Sequence, residues 1–143
     1  MQRLQQQQLR RQQAPKRDCP ITPSPDNPLG MFEKRSGSGY RPALDGIERK
    51  TLVHDEKTLM TEFLLRKGAV LPRHSHPHKQ TGYLVKGRIR LLIGTEEYIA
   101  QAGDSWCIPG GVEHGADILE DSVAIEVFSP VRDDYLPDGC ETT

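Results

Sequence analysis

The most constraining stretch of the chain runs Gly68-Ala-Val-Leu-Pro-Arg-His74-Ser-His76-Pro-His-Lys-Gln80-Thr-Gly-Tyr-Leu-Val-Lys-Gly87. In an extended strand successive side chains alternate between faces, so the imidazoles of His74 and His76 fall on one side. Two imidazoles on one face, with an amide a few residues on, make half of a metal site. The flanking glycines permit sharp turns or close backbone approach. A second stretch, Gly103-Asp-Ser-Trp-Cys-Ile-Pro109-Gly-Gly111-Val-Glu-His114, repeats the plan of glycine, short apolar strand, Pro/Gly turn and histidine. Folded against each other, the two stretches bring His74, His76, Gln80 and His114 around one ion.

The remaining periodicity is that of strands. Leu59, Thr61, Phe63 and Leu65 alternate over residues 58–65, and Ile89, Leu91 and Ile93 alternate against Arg88 and Arg90. Further strands are expected over 47–54, 69–76, 82–86, 98–100, 105–108 and 122–128, with a hairpin connection at 94–97. Short strands at this spacing, with no helical period, predict an all-β barrel or sandwich, a pattern that a jelly-roll barrel suits.

The two histidine stretches, in this order, resemble the paired motifs of the cupin superfamily. Gly68, His74, His76, Gln80 and Gly87 match the first motif, and Gly103, Pro109, Gly111 and His114 match the second. Two positions depart from the pattern: Gln80 replaces the usual glutamate, and Ile118 stands where asparagine is usual. The resemblance spans residues 40–137 and implies a double-stranded β-helix barrel. It also implies one divalent transition metal ion (Ni, Zn, Mn or Fe) on His74, His76, Gln80 and His114. Within the family, Gln80 shifts the chemistry away from dioxygen activation. An amide leaves the ion's charge uncompensated and hence more strongly Lewis acidic.

The last strand supplies the candidate acid–base group. In Val123-Ala-Ile-Glu126-Val-Phe128, the residues Ala124, Glu126 and Phe128 share one face. A carboxyl in such a pocket shifts its pKa through desolvation or a nearby cation and becomes able to shuttle a proton. Against this stands an ordinary solvent-facing glutamate. Arg132, at the strand's exit, is a candidate for bidentate recognition of a substrate carboxylate, against a surface role. His54 and His78 are read as bystanders.

His74-x-His76 and Gln80, followed by Glu126-Val-Phe128-Ser-Pro-Val-Arg132, are also similar to the small cupins of pectin degradation, which open the ring of unsaturated uronates. In those proteins an aspartate stands where Glu126 stands, and Phe128 and Arg132 have direct counterparts. The resemblance implies Glu126 and Arg132 as catalytic residues and Phe128 and Arg132 as substrate contacts. It implies an isomerase or ring-opening enzyme on a small carboxylated sugar or keto acid. A cupin dioxygenase using Fe, Ni or Cu and a non-catalytic ligand-binding barrel are the alternatives. A homodimer is expected, as for many such barrels.

Composition bears on the rest. The 143 residues carry 35% hydrophobic side chains, enough for one modest domain. A net charge of −1 gives no global electrostatic case for nucleic acid or an anionic membrane as partner. No apolar run reaches membrane-spanning length, and the start lacks the apolar segment of a secretory signal. Cys19, Cys107 and Cys140 are widely spaced and odd in number, which reads as unpaired thiols in a reducing cytoplasm. Cys107 is taken as a small buried hydrophobe.

Residues 1–39 are expected to form a disordered extension, Gln/Arg-rich and then Pro-rich, ending in a Ser36-Gly-Ser-Gly link. The barrel is expected over 40–137 and a short tail over 138–143.

Overall fold

The computed structural model describes residues 31–136. Residues 1–30 of the expected extension, Cys19, Cys140, Pro137 and the expected tail over 138–143 lie outside the described residues. Ten strands follow in order: β1 Arg41–Leu44, β2 Ile47–His54, β3 Leu59–Leu65, β4 Val70–His74 and β5 Lys79–Lys86. Then come β6 Arg88–Ile93, β7 Glu96–Gln101, β8 Ser105–Ile108, β9 His114–Ile118 and β10 Ser122–Ser129. A single 3-10 turn at Asp133–Tyr135 closes the described chain, which contains no α-helix.

The strands form two antiparallel sheets, one ordered β1-β2-β3-β10-β5-β8 and the other β4-β9-β6-β7. The all-β content is what the periodicity predicts, and the two-sheet arrangement is the jelly roll that the resemblance implies. Their inner faces meet on a core that includes Leu84, Ile89, Leu91, Trp106, Ile108, Ile118 and Ala124. Ile118, where the family pattern expects asparagine, is a core side chain only 3% exposed. A second cluster of Leu59, Phe128, Val131 and Leu136 lies at the histidine end of the barrel. Gly68, Gly87, Gly103 and Gly111 all have positive φ, at 87°, 97°, 95° and 80°. The motif glycines therefore stand where the backbone turns through a region that side chains disfavour.

Several expectations needed correction. Strands β1 and β9 match no strand expected from sequence: Arg-Pro-Ala-Leu lies ahead of the first expected strand at 47–54, and His-Gly-Ala-Asp-Ile has little strand propensity of its own. Strand β9 forms because it fits between β4 and β6, whose backbones supply its ladder. Strand β5 begins at Lys79, ahead of Gly82, and β7 extends over Glu96–Gln101. The expected strand at 69–76 stops at His74, so His76 sits in the turn before β5. Cys107 is exposed rather than buried. On β8 the inward positions belong to Trp106 and Ile108, and strand alternation turns the residue between them outward.

Candidate metal centre and active site

Both sheets contribute to one end of the barrel. His74 ends β4 and pairs directly with His114, the first residue of β9. His76 follows on the turn, and Gln80 lies on β5 opposite Ile108 and Phe128. The ring centroids of His114 are 4.3 Å from those of His74 and 4.9 Å from those of His76. One ligand nitrogen from each of the three histidines lies within 4.8 Å of the others.

Each imidazole is oriented by its own neighbourhood. Nδ1 of His74 is 2.8 Å from the Pro72 carbonyl oxygen, that of His114 is 2.9 Å from Val112, and that of His76 is 3.0 Å from His78. A carbonyl oxygen can only accept, so in each pair Nδ1–H is the donor and Nε2 carries the lone pair. Such backbone contacts fix the tautomer of metal-ligating histidines. The His114 Nε2 is then a buried acceptor with no partner, a costly arrangement unless something donates to it. His76 poses a sharper problem, since its Nε2 also lies 3.0 Å from Gln80 Oε1. A neutral imidazole has one N–H and cannot satisfy two oxygen acceptors. Protonation would satisfy both, but burial first, and then the charge of Arg132, hold the His76 pKa below its usual value. Burial also lowers the pKa of His114. A cation between Nε2 and Oε1 resolves both deficits, so these residues fit a divalent metal ion.

Glu126 faces inward from β10 and is only 6% exposed, so the solvent-facing alternative does not hold. Burial pushes its pKa up to about 7, against the opposing hydrogen bonds from Gln80 and Trp106. The Trp106 indole Nε1–H donates to Glu126 Oε1 at 3.0 Å, while Oε2 is buried without a partner. Trp106 reaches this position across Gly82. A Cβ at Gly82 would lie 2.0 Å from the indole nitrogen, so any side chain there would displace the donor. The amide of Gln80 serves both halves of the site, with its oxygen 3.0 Å from His76 Nε2 and its polar end lowering the pKa of Glu126 against the effect of burial. A glutamate there would have no proton to donate and would set a second negative charge against Glu126.

Phe128 is 1% exposed and packs its ring edge-on to His76, with centroids 5.9 Å apart, and to Tyr135. Arg132 is paired with Asp134 in a fork, Nε to Oδ1 at 3.1 Å and a terminal nitrogen to Oδ2 at 2.7 Å. Its guanidinium lies 4.0 Å from the centre of the Tyr135 ring. His78 contributes its carbonyl to His76, and its ring lies 5.5 Å from that of His76.

Three residues near the site received no role in the sequence reading: Trp106, Tyr135 and Thr61. Thr61 is the cross-strand partner of Glu126, is fully buried, and has no hydrogen-bond partner for its hydroxyl. Alternation along β3 and β10 puts Thr61 and Glu126 on inward faces. Only the register between the strands makes them neighbours. Beneath the histidines a small cavity of about 60 Å3 is lined by Gln80, His114, Trp106, Glu126 and apolar core side chains.

Comparison with known proteins fits this geometry. The family profile of the cupin domain matches residues 61–129. The pectin degradation protein KdgF of Dickeya dadantii is 35% identical over 94 residues, covering 64% of this chain and 86% of that one. The chain thus belongs to the cupin superfamily. Among solved structures, KdgF from a Halomonas species superposes with a TM-score of 0.70 at 34% identity, covering 73% of this chain and 99% of that one. An RmlC-like cupin from Shewanella frigidimarina gives a TM-score of 0.71 at 27% identity, over 74% and 96% of the two chains.

Proposed function

We propose that the protein is a metal-dependent cupin enzyme that isomerises or ring-opens a small carboxylated sugar or keto acid of the unsaturated-uronate kind. The observation that carries the reading is the buried Glu126 carboxyl, joined through Gln80 to three histidines whose free nitrogens converge. Similarity to pectin degradation proteins supports the substrate class.

His74, His76, His114 and Gln80 would hold the ion, with Ni, Zn, Mn or Fe all compatible with imidazole and amide donors. When bound, the ion supplies Lewis acidity toward an oxygen of the substrate. Glu126 moves the proton. Its pKa, raised by burial to about 7 in the metal-free chain, suits a group that takes a proton from one substrate atom and returns it to another. Trp106 holds one carboxyl oxygen, leaving Oε2 for the exchange. Arg132 recognises the substrate carboxylate by exchanging its fork with Asp134 for an equivalent fork with the ligand. Phe128 backs His76 and shapes the wall of the substrate site.

The proposal extends to a homodimer in the cytoplasm, with residues 40–137 as the barrel and 1–39 as an extension. The exposed, unpaired thiol of Cys107 suits a reducing compartment. The small volume of the cavity beneath the histidines favours, as a second reading, a barrel that binds a ligand without turning it over.

The test is elemental mass spectrometry of the purified chain, followed by turnover of an unsaturated uronate. About one ion per chain, lost in His114→Ala, together with loss of the substrate's ring absorbance is expected. An ion without turnover would favour the binding reading. The absence of any ion after incubation with Ni, Zn, Mn and Fe(II) would remove the metal from the proposal.

A further inference from the structure

Away from the His74, His76 and His114 cluster, basic side chains line a cavity of about 320 Å3. Among the described residues its wall includes Arg49, Lys50, Ser36, His54 and Tyr135, with Glu33 as the acidic member. The volume falls at the lower end of the range of small-molecule pockets, about 300–1,000 Å3.

Two of these cations are held in place by contacts that use only part of their bonding capacity. Lys50 is 8% exposed, an unusual position for an ammonium group. Its Nζ donates to the Ser36 carbonyl at 3.1 Å, one acceptor for a group with three protons. Arg49 lies 4.1 Å from the centre of the Tyr135 ring and donates through one terminal nitrogen to the Asp134 carbonyl at 3.2 Å. Neither contact is itself with a carboxylate, although Asp134, whose carboxyl pKa Arg49 helps to lower, and Glu62, the cross-strand partner of Lys50, are acidic neighbours. Burying a cation is costly unless an anion compensates it, and the cavity beside Lys50 and Arg49 has room for one. Because both side chains are already ordered, an incoming anion would not bear the full entropic cost of fixing them.

The geometry points to a second site, distinct from the histidine centre, that binds a small oxyanion. The group is a carboxylate or phosphate carried on a molecule of sugar size, with Lys50 and Arg49 as its ligands. Arg49 and Arg132 share the Tyr135 ring, so an occupant here lies one aromatic layer from the guanidinium assigned to substrate recognition. The proposal does not depend on the reaction assigned to the histidine site.

The experiment is amide-resolved NMR of the full chain as purified, titrated in separate arms with inorganic phosphate and with gluconate. Saturable shifts at residues 36–39 and 49–51 are expected, and the tighter arm identifies the head group. Arg49→Gln should weaken that arm at least tenfold, roughly the loss of one charge-assisted hydrogen bond. Lys50→Met should do the same, and Arg49→Gln carries the test if Lys50→Met fails to fold. Absence of saturable shifts there, unchanged affinity in Arg49→Gln, or shifts confined to the surroundings of His74 and His114 would each overturn the proposal.

Discussion

The two sheets equip the same end of the barrel by different means. The four-stranded sheet brings His74 and His114, and each ring is aimed by a backbone carbonyl two residues away. The six-stranded sheet brings Gln80, Trp106, Glu126 and Phe128, where the key contacts run across strands: Trp106 over Gly82 to Glu126, and Gln80 to Glu126. Locally aimed histidines should tolerate changes elsewhere in the barrel. The carboxyl side depends on register, so one substitution there alters a residue on another strand. Gln80 belongs to both halves and is the position most able to uncouple them.

Four experiments press on that difference. The largest effect is expected of Glu126→Gln, which keeps the shape but cannot take a proton. Turnover should fall about 10²–10⁴-fold, the usual contribution of general acid–base catalysis, with metal content unchanged. Loss of the metal as well would mean that the two sheets are not separable.

Next is the pH dependence of stability in metal-free protein. The Glu126 pKa is raised from 4.5 to about 7, so between these values the folded chain keeps a proton that the unfolded chain releases. The contribution of Glu126 to stability is therefore greatest below the unfolded pKa and falls as pH rises toward about 7, by roughly 3 kcal/mol, then levels off. His54, His76 and His114, whose pKa values burial lowers, contribute in the opposite sense, so the fall is read from the difference between wild type and Glu126→Gln in denaturant titrations. Parallel wild-type and variant profiles would mean that the carboxyl is not buried.

Gln80→Glu should separate the halves in the opposite sense. A carboxylate ligand should hold the ion more tightly, while Glu126 loses a donor and gains a repulsive neighbour. Metal affinity should rise and turnover fall by about tenfold, the effect of one charge-assisted hydrogen bond. If both rise together, the amide has no role in holding Glu126. The smallest effect is expected of Thr61→Val. Replacing a buried hydroxyl that has no partner should leave stability unchanged or raise it by about 1 kcal/mol. A loss of that size in thermal melts would show that Thr61 does bond, with the unpartnered Oε2 of its cross-strand neighbour Glu126 as a candidate.

Sequence alone carried the fold class and the histidines, because both follow local rules. Period-two alternation marked β3, β6 and β10, and the motif glycines stand where φ is positive. Alternation likewise put Glu126 on the face of Ala124 and Phe128, which proved to be the inner one. The same rule, applied to β8, would have turned Cys107 outward between Trp106 and Ile108. Only the tertiary structure decided the rest. Strand β9 lacks intrinsic preference and is held by its two neighbours. Trp106 becomes Glu126's donor, Thr61 its neighbour and Asp134 the partner of Arg132 only once the chain has folded. The Glu126 pKa, too, is set by how completely the barrel closes over the carboxyl. Hydrophobic period and backbone sign are properties of a few consecutive residues. Cross-strand register and desolvation join segments far apart in the chain, and no local pattern encodes them.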